Sequence, residues 1–88
     1  MTVSALRLHP ADNVACLLRD HGAGEVPVLA EGSAPALTGP VAMGHKIALV
    51  AIAMDEPVIK YGATIGHAKQ DIPPGAHVHL HNLVGAMR

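Results

Sequence analysis

Residues 44–82 read GHKIALVAIAMDEPVIKYGATIGHAKQDIPPGAHVHLHN, and the texture of this stretch decides the fold. HKIALVAIAM is an apolar run of β-branched and small residues, closed by Gly44 on one side and Asp55-Glu56-Pro57 on the other, as expected of a buried strand. Short segments follow: VIKYG, ATIGHA and HVHLHN, separated by Gly62, by Gly66 and by the turn DIPPG. Strands so short and so densely punctuated predict a small, mostly β, barrel-like domain.

Upstream, VSALRL at residues 3–8 alternates loosely and ends at His9-Pro10, which suits a short strand. Asp12 or Asn13 can cap one short helix carrying Val14, Ala15, Leu17 and Leu18, with Gly22 as its stop. Residues 21–43 hold four glycines and three prolines, so most of this stretch reads as mobile loop, with strand only over 26–30. No segment repeats at a fixed period.

A chain of 88 residues makes one domain, since it can bury only about 60 to 65 per cent of its unfolded surface. Six Lys and Arg against seven Asp and Glu leave a formal charge of −1, too little for a phosphate-binding face, so nucleic acid is not an expected partner. Tyr61 is the one aromatic residue, which removes base stacking and aromatic-lined pockets from consideration. Cys16 is alone and reads as a small buried hydrophobe. The longest apolar run, residues 47–54, is too short to cross a bilayer, and the N-terminus lacks a signal-peptide pattern, so the expected compartment is the cytoplasm.

The chemistry concentrates in Gly75-Ala76-His77-Val78-His79-Leu80-His81-Asn82. In an extended strand His77, His79 and His81 share a face, adjacent members lying about 6.6 Å apart at Cα. One neighbouring pair can then converge on a metal, with further ligands from elsewhere in the fold, from another chain or from substrate oxygens. The competing reading is an exposed strand face without a metal. A cupin site, which also uses a His-x-His pair, would need downstream Glu and His spacing that is absent. Gly44-His45-Lys46 offers a backbone open to close approach, a proton carrier and a fixed cation for a carboxylate. Lys60-Tyr61-Gly62 places a cation and a phenol at a strand end, where a solvated edge is the plainer reading. Asp71 reads as a turn residue, and His9 and His21 receive no role.

Five linked motifs in this chain resemble the N-terminal domain of the altronate and galactarate dehydratase family: Gly44, His45, Lys46, Ala48 and Leu49; Val58, Ile59, Lys60, Tyr61 and Gly62; Ile65, Gly66 and Ala68; Asp71, Ile72 and Gly75; and Val78, His79, His81 and Asn82. Leu8-His9-Pro10 and Asp12-Asn13-Val14 extend the likeness upstream. Asp55 stands where the family usually has glycine, and His77 occupies a variable place, so His77 inherits nothing. The resemblance implies the β-clip architecture of the SAF domain, named for antifreeze proteins and sialic acid synthase. It implies a role in β-elimination from a 2-hydroxy acid, aided by iron or manganese and by a large catalytic subunit. The small subunit of sulfolactate sulfo-lyase is similar as well, with sulfite leaving in place of water.

From the resemblance and the residues together, His79 and His81 are the expected metal ligands. His45, Lys46 and Lys60 are the expected catalytic groups, and Asn82, Tyr61 and Gly44 the expected contacts to a small sugar acid. The non-catalytic alternative is a module that binds the acid or clamps the partner. An apolar docking face, and hence self-association in isolation, is expected if the large partner is a separate chain.

Overall fold

The computed structural model describes residues 2–85. Their nine short strands are β1 (Ala5–Leu6), β2 (Val14–Leu17), β3 (Val28–Leu29), β4 (Gly32–Ser33), β5 (Lys46–Ala48), β6 (Pro57–Lys60), β7 (Ala63–Ala68), β8 (His77–Val78) and β9 (Leu83–Gly85). All pairings are antiparallel, in sheets ordered β1-β2-β5-β8, β3-β4 and β6-β7-β9. The expected small, mostly β domain is what the chain forms. Among the described residues no helix is long and apolar enough to cross a membrane.

The four-stranded sheet is a wall between two cores. Ala15, Leu17 and Ile47 face a cluster with Ala5, Leu29, Ala34, Leu37 and Val41. Val14, Ala48 and Val78 face the other, with Ile52, Val58, Ala68 and Ile72. Such alternation is the period-2 signature of a strand whose two faces are both covered.

That double burial corrects the expected helix at residues 12–22, which is instead β2 and its flanks. A helix buries one stripe, whereas Val14, Ala15 and Leu17 must supply two cores from consecutive positions. The would-be capping residues pair with β6 and its turn. Asn13 Oδ1 accepts from Ile59 N at 2.8 Å while Nδ2 donates to the Pro57 carbonyl at 2.9 Å, so one amide mimics a strand partner. The buried Asp12 carboxylate accepts from Tyr61 N at 3.1 Å and Gly62 N at 2.8 Å, holding the two-residue tip between β6 and β7. Both tip residues have positive φ, 58° at Tyr61 and 70° at Gly62, as the type I′ hairpin turn demands.

Burial alone would raise the Asp12 carboxyl, but the amides of Gly62, Tyr61 and Leu8, with nearby His9, hold it below the usual 3.8. A depressed folded value means this contribution is complete above the unfolded value and is lost as pH falls through the folded one. Asp12→Ala is therefore expected to destabilise the domain by roughly 2 to 3 kcal/mol at neutral pH. The same variant should lack that part of the acid-induced loss of stability below about pH 3.8, which thermal melts across a pH series would reveal.

The long apolar run at 47–54 is likewise not one strand. β5 stops at Ala48, Val50 and Met54 are exposed, and Ile52 makes an isolated bridge with Ile72. Residues 21–43 are more structured than a mobile loop, since they carry the β3–β4 hairpin, a His21–Val41 bridge and four residues of the first core.

These bridges expose a repeat that no fixed period reveals. Gly22, Ala42, Ala53 and Pro73 each open a turn whose first carbonyl accepts from the residue three on: Glu25, His45, Glu56 and Ala76, at 2.9 to 3.2 Å. The third residue always has positive φ, 81° at Gly24, 86° at Gly44, 72° at Asp55 and 82° at Gly75, which makes all four type II turns. They are related in pairs. Gly44 N donates to Leu17 O as Asp55 N does to Ala68 O, and Gly24 N donates to Leu37 O as Gly75 N does to Ala48 O. Asp20 accepts from Met43 N as Asp71 does from Met54 N. Residues 17–24 thus correspond to 68–75 and residues 37–44 to 48–55, two interlocked copies of one bridged ribbon.

Within this scheme Asp55 alone fills the positive-φ position with a side chain. Asp55→Gly should therefore raise stability by up to about 1 kcal/mol in chemical denaturation. The correspondence also explains buried His21, which takes the core place held by Ile72 in the other copy. Its Nδ1 lies 2.9 Å from Arg19 O and its Nε2 3.1 Å from Ser4 Oγ, so its polarity is satisfied internally.

Candidate functional site

Three of the candidate histidines gather at the outer edge of the four-stranded sheet. His45 ends the type II turn of residues 42–45 and leads into β5, while the register pairs Ile47 with His77 and Lys46 with Val78. His77 begins β8, so a cross-strand pairing brings residues 32 apart in sequence into contact: His45 Nδ1 lies 2.8 Å from His77 Nε2.

The extended row expected from 77 to 81 is not formed. β8 ends at Val78, and residues 79–82 make a turn in which Asn82 N donates to His79 O at 3.0 Å. Asn82 locks it. Its Oδ1 accepts from His79 N at 2.9 Å, its Nδ2 donates to His77 O at 2.8 Å, and it is 3% exposed. A polar side chain packed among short strands must satisfy its own hydrogen bonds, and here backbone groups consume them.

The turn folds His79 back toward His45. Ring centroids are 4.9 Å apart for His45–His77, 5.0 Å for His45–His79 and 5.4 Å for the stacked pair His77–His79. One ligand nitrogen from each of these three lies within 4.8 Å of the others. His81 approaches only the His77 ring, at 5.5 Å. The structure thus joins His79 to His45 and His77 rather than to its sequence neighbour His81.

Burial lowers the His77 pKa, and the positive charge of His45, His81, His79 and Lys46 lowers it further. Both causes favour the neutral imidazole of His77, the form that ligates metals. The donor set contains no carboxylate. Three imidazoles suit borderline first-row ions such as iron(II), whereas manganese favours oxygen ligands. The residues present fit the iron of the family expectation better than the manganese.

Lys46, partly buried on β5, pairs across the strands with Val78, whose side chain faces the second core, so it alternates to the other face of the sheet from His77 even though its charge is felt there. Gly44 shapes the turn that delivers His45. Lys60 and Tyr61 stand elsewhere, at the β6–β7 tip, with the Lys60 ammonium 5.8 Å from the Tyr61 ring centroid. Among the described residues, none of the cluster's hydrogen bonds or ring contacts involves them. Sequence reasoning set His77 in the row of three but left it out of the expected ligand pair. Its only signal was the third imidazole itself, because the pairing that aims it at His45 is long-range.

Other polar surfaces offer less. A cleft of about 450 Å³ beside Ile52, Ile72, Pro73 and Pro74 contains Glu56 and Asp71, but each carboxylate already accepts a backbone amide, from Ala53 and Met54. Arg7 is engaged by the carbonyls of Asp12 and Pro10 and by Glu31 at 3.7 Å. The histidine face is where uncommitted chemistry remains.

Residues 3–86 match the family model of the altronate/galactarate dehydratase SAF domain. The altronate dehydratase of Bacillus subtilis (strain 168) is 43% identical over 79 residues, 90% of this chain and 16% of that protein. The altronate dehydratase of Escherichia coli (strain K12) is 46% identical over 77 residues, 88% of this chain and 15% of that protein. The (2R)-sulfolactate sulfo-lyase subunit alpha of Chromohalobacter salexigens is 49% identical over 43 residues, 49% of this chain and 46% of that protein. The chain therefore spans about one sixth of the altronate dehydratases it matches. On these matches the chain belongs to the altronate/galactarate dehydratase SAF domain family.

Proposed function

We propose that this domain is the substrate-handling module of a hydro-lyase of the altronate and galactarate type, acting with a large catalytic region and inactive alone. The observation that carries the proposal is the meeting of His45, His77 and His79, in a domain whose altronate dehydratase relatives are some six times longer.

The substrate class is a 2-hydroxy acid with a leaving group on the adjacent carbon. Loss of a weakly acidic C–H proton and of water gives an enol, which becomes a 2-keto acid. Lys46 supplies a fixed charge for a carboxylate, and His45 can carry a proton. His45, His77 and His79 would hold a divalent ion, which when bound supplies Lewis-acid stabilisation of the enediolate charge. Lys60 and Tyr61 take part only if the catalytic region bridges the two faces.

A partner covering this face is supported by its rim. Met43, two residues before His45, is 63% exposed, and Leu80, next to His79, is 72% exposed. Left alone, the domain should self-associate through the same apolar rim. Mixing it with the catalytic region and following 2-keto acid formation tests the function. A catalytic region that reacts at full rate alone would reduce this domain to a binding module.

A second reading has its own support, since two subunits alpha of sulfolactate sulfo-lyase are 49% and 45% identical to this chain over 43 and 42 residues. Assaying sulfite against water release with each acid separates the two.

A further inference from the structure

We propose that His77 makes this chain a self-sufficient metal site, in which His45, His77 and His79 bind one borderline divalent ion without help from a partner. The inference rests on the metal part of the function proposed above and adds a ligand that family resemblance does not supply.

Two observations carry it. The β5–β8 register sets His45 Nδ1 and His77 Nε2 2.8 Å apart, a contact in which one nitrogen must lend a proton to the other. A cation can take the place of that proton, which moves to the second nitrogen of its own ring, so each ligand binds as a neutral imidazole. Next, His79 is held in place from beneath by Asn82, and its ring already stacks on His77. A tetrahedral ion with bonds near 2.1 Å spaces its donors about 3.4 Å apart. The nitrogens, 2.8 Å apart in one pair and all within 4.8 Å, bracket that spacing, and rotation of the exposed His79 ring can close the difference.

An all-imidazole set also implies selectivity. Zinc, nickel, cobalt and iron(II) should bind in preference to manganese or magnesium, which want oxygen donors.

The test is calorimetric titration of the full 88-residue chain with zinc, nickel and manganese salts, backed by visible absorption of the cobalt(II) form. One zinc per chain is expected, with manganese binding at least about tenfold weaker. His77→Gln should weaken zinc binding by about tenfold or more with an unchanged melting profile, while His67→Ala, on the far sheet, should not. Zinc should also shift the His77 ring-proton resonances of the unmodified chain, a readout independent of whether the variant folds. If His77→Gln binds zinc as tightly as the parent while His45→Ala and His79→Ala lose it, or if His81→Ala is the variant that loses it, His77 is not a ligand and the broader metal reading survives. If the parent chain binds none of these ions, both readings fall.

Discussion

Gly75→Ala is expected to leave the chain largely unfolded at 25 °C. A Cβ at this position would sit 2.0 Å from Ala36 O and 3.0 Å from Ala36 C, and backbone atoms cannot swing aside as a flexible side chain would. Gly75 N donates to Ala48 O and Gly75 O accepts from Thr38 N, so the segment cannot retreat without losing two cross-links. Its φ of 82° adds about 1 kcal/mol for any residue with a Cβ. The sum, roughly 4 kcal/mol or more, approaches the whole stability of a domain this small. Gly24 provides the control, because it holds the corresponding turn place at φ 81° with no atom within 4 Å of a built Cβ. Gly24→Ala should cost only about 1 kcal/mol. Circular dichroism melts of the two variants decide the matter, and a Gly75→Ala protein that melts like Gly24→Ala would show that the Ala36 contact does not constrain the fold.

The second large effect is on catalysis. His45→Ala combined with His79→Ala should lower 2-keto acid formation by the assembled enzyme by roughly 10² to 10⁴-fold. Neither ring is in a core, His45 being half-buried and His79 exposed, so melting and association with the catalytic region should hardly change. That separation matters, because a stability defect could lower activity without any role in chemistry. Unimpaired turnover by the double variant would take the histidine face out of the reaction and favour the binding-module reading.

The two predictions differ in how far the sequence anticipates them. Gly75 belongs to the DIPPG turn that punctuation reveals, and Pro74 at the second turn position is an ordinary type II preference. The collision with Ala36 is not legible, since residues 36 and 75 meet only when the two ribbons interlock. The four-turn repeat is hidden for a related reason. VAMG, IAMD, IPPG and HGAG share a backbone path rather than a composition, and their correspondences run at two different offsets.

Asp12 and Asn13 show why local reading failed where it did. Both are good helix caps, and a run of Val, Ala, Cys and Leu is equally compatible with a buried helix or a buried strand. The choice is made by two cores, one on each side of β2, and by the backbone groups of β6 that claim both polar side chains.

Residue order by itself was enough to determine a small, mostly β domain, its punctuation by glycine and proline, and the family to which it belongs, because turn chemistry and linked motifs are local properties of the chain. Tertiary structure decided which histidines meet. Imidazoles 79 and 81 are two apart in sequence, yet the turn locked by Asn82 directs His79 to His45 and His77. Such a cluster depends on strand register across 32 residues, and register is set by which side chains the two cores accept.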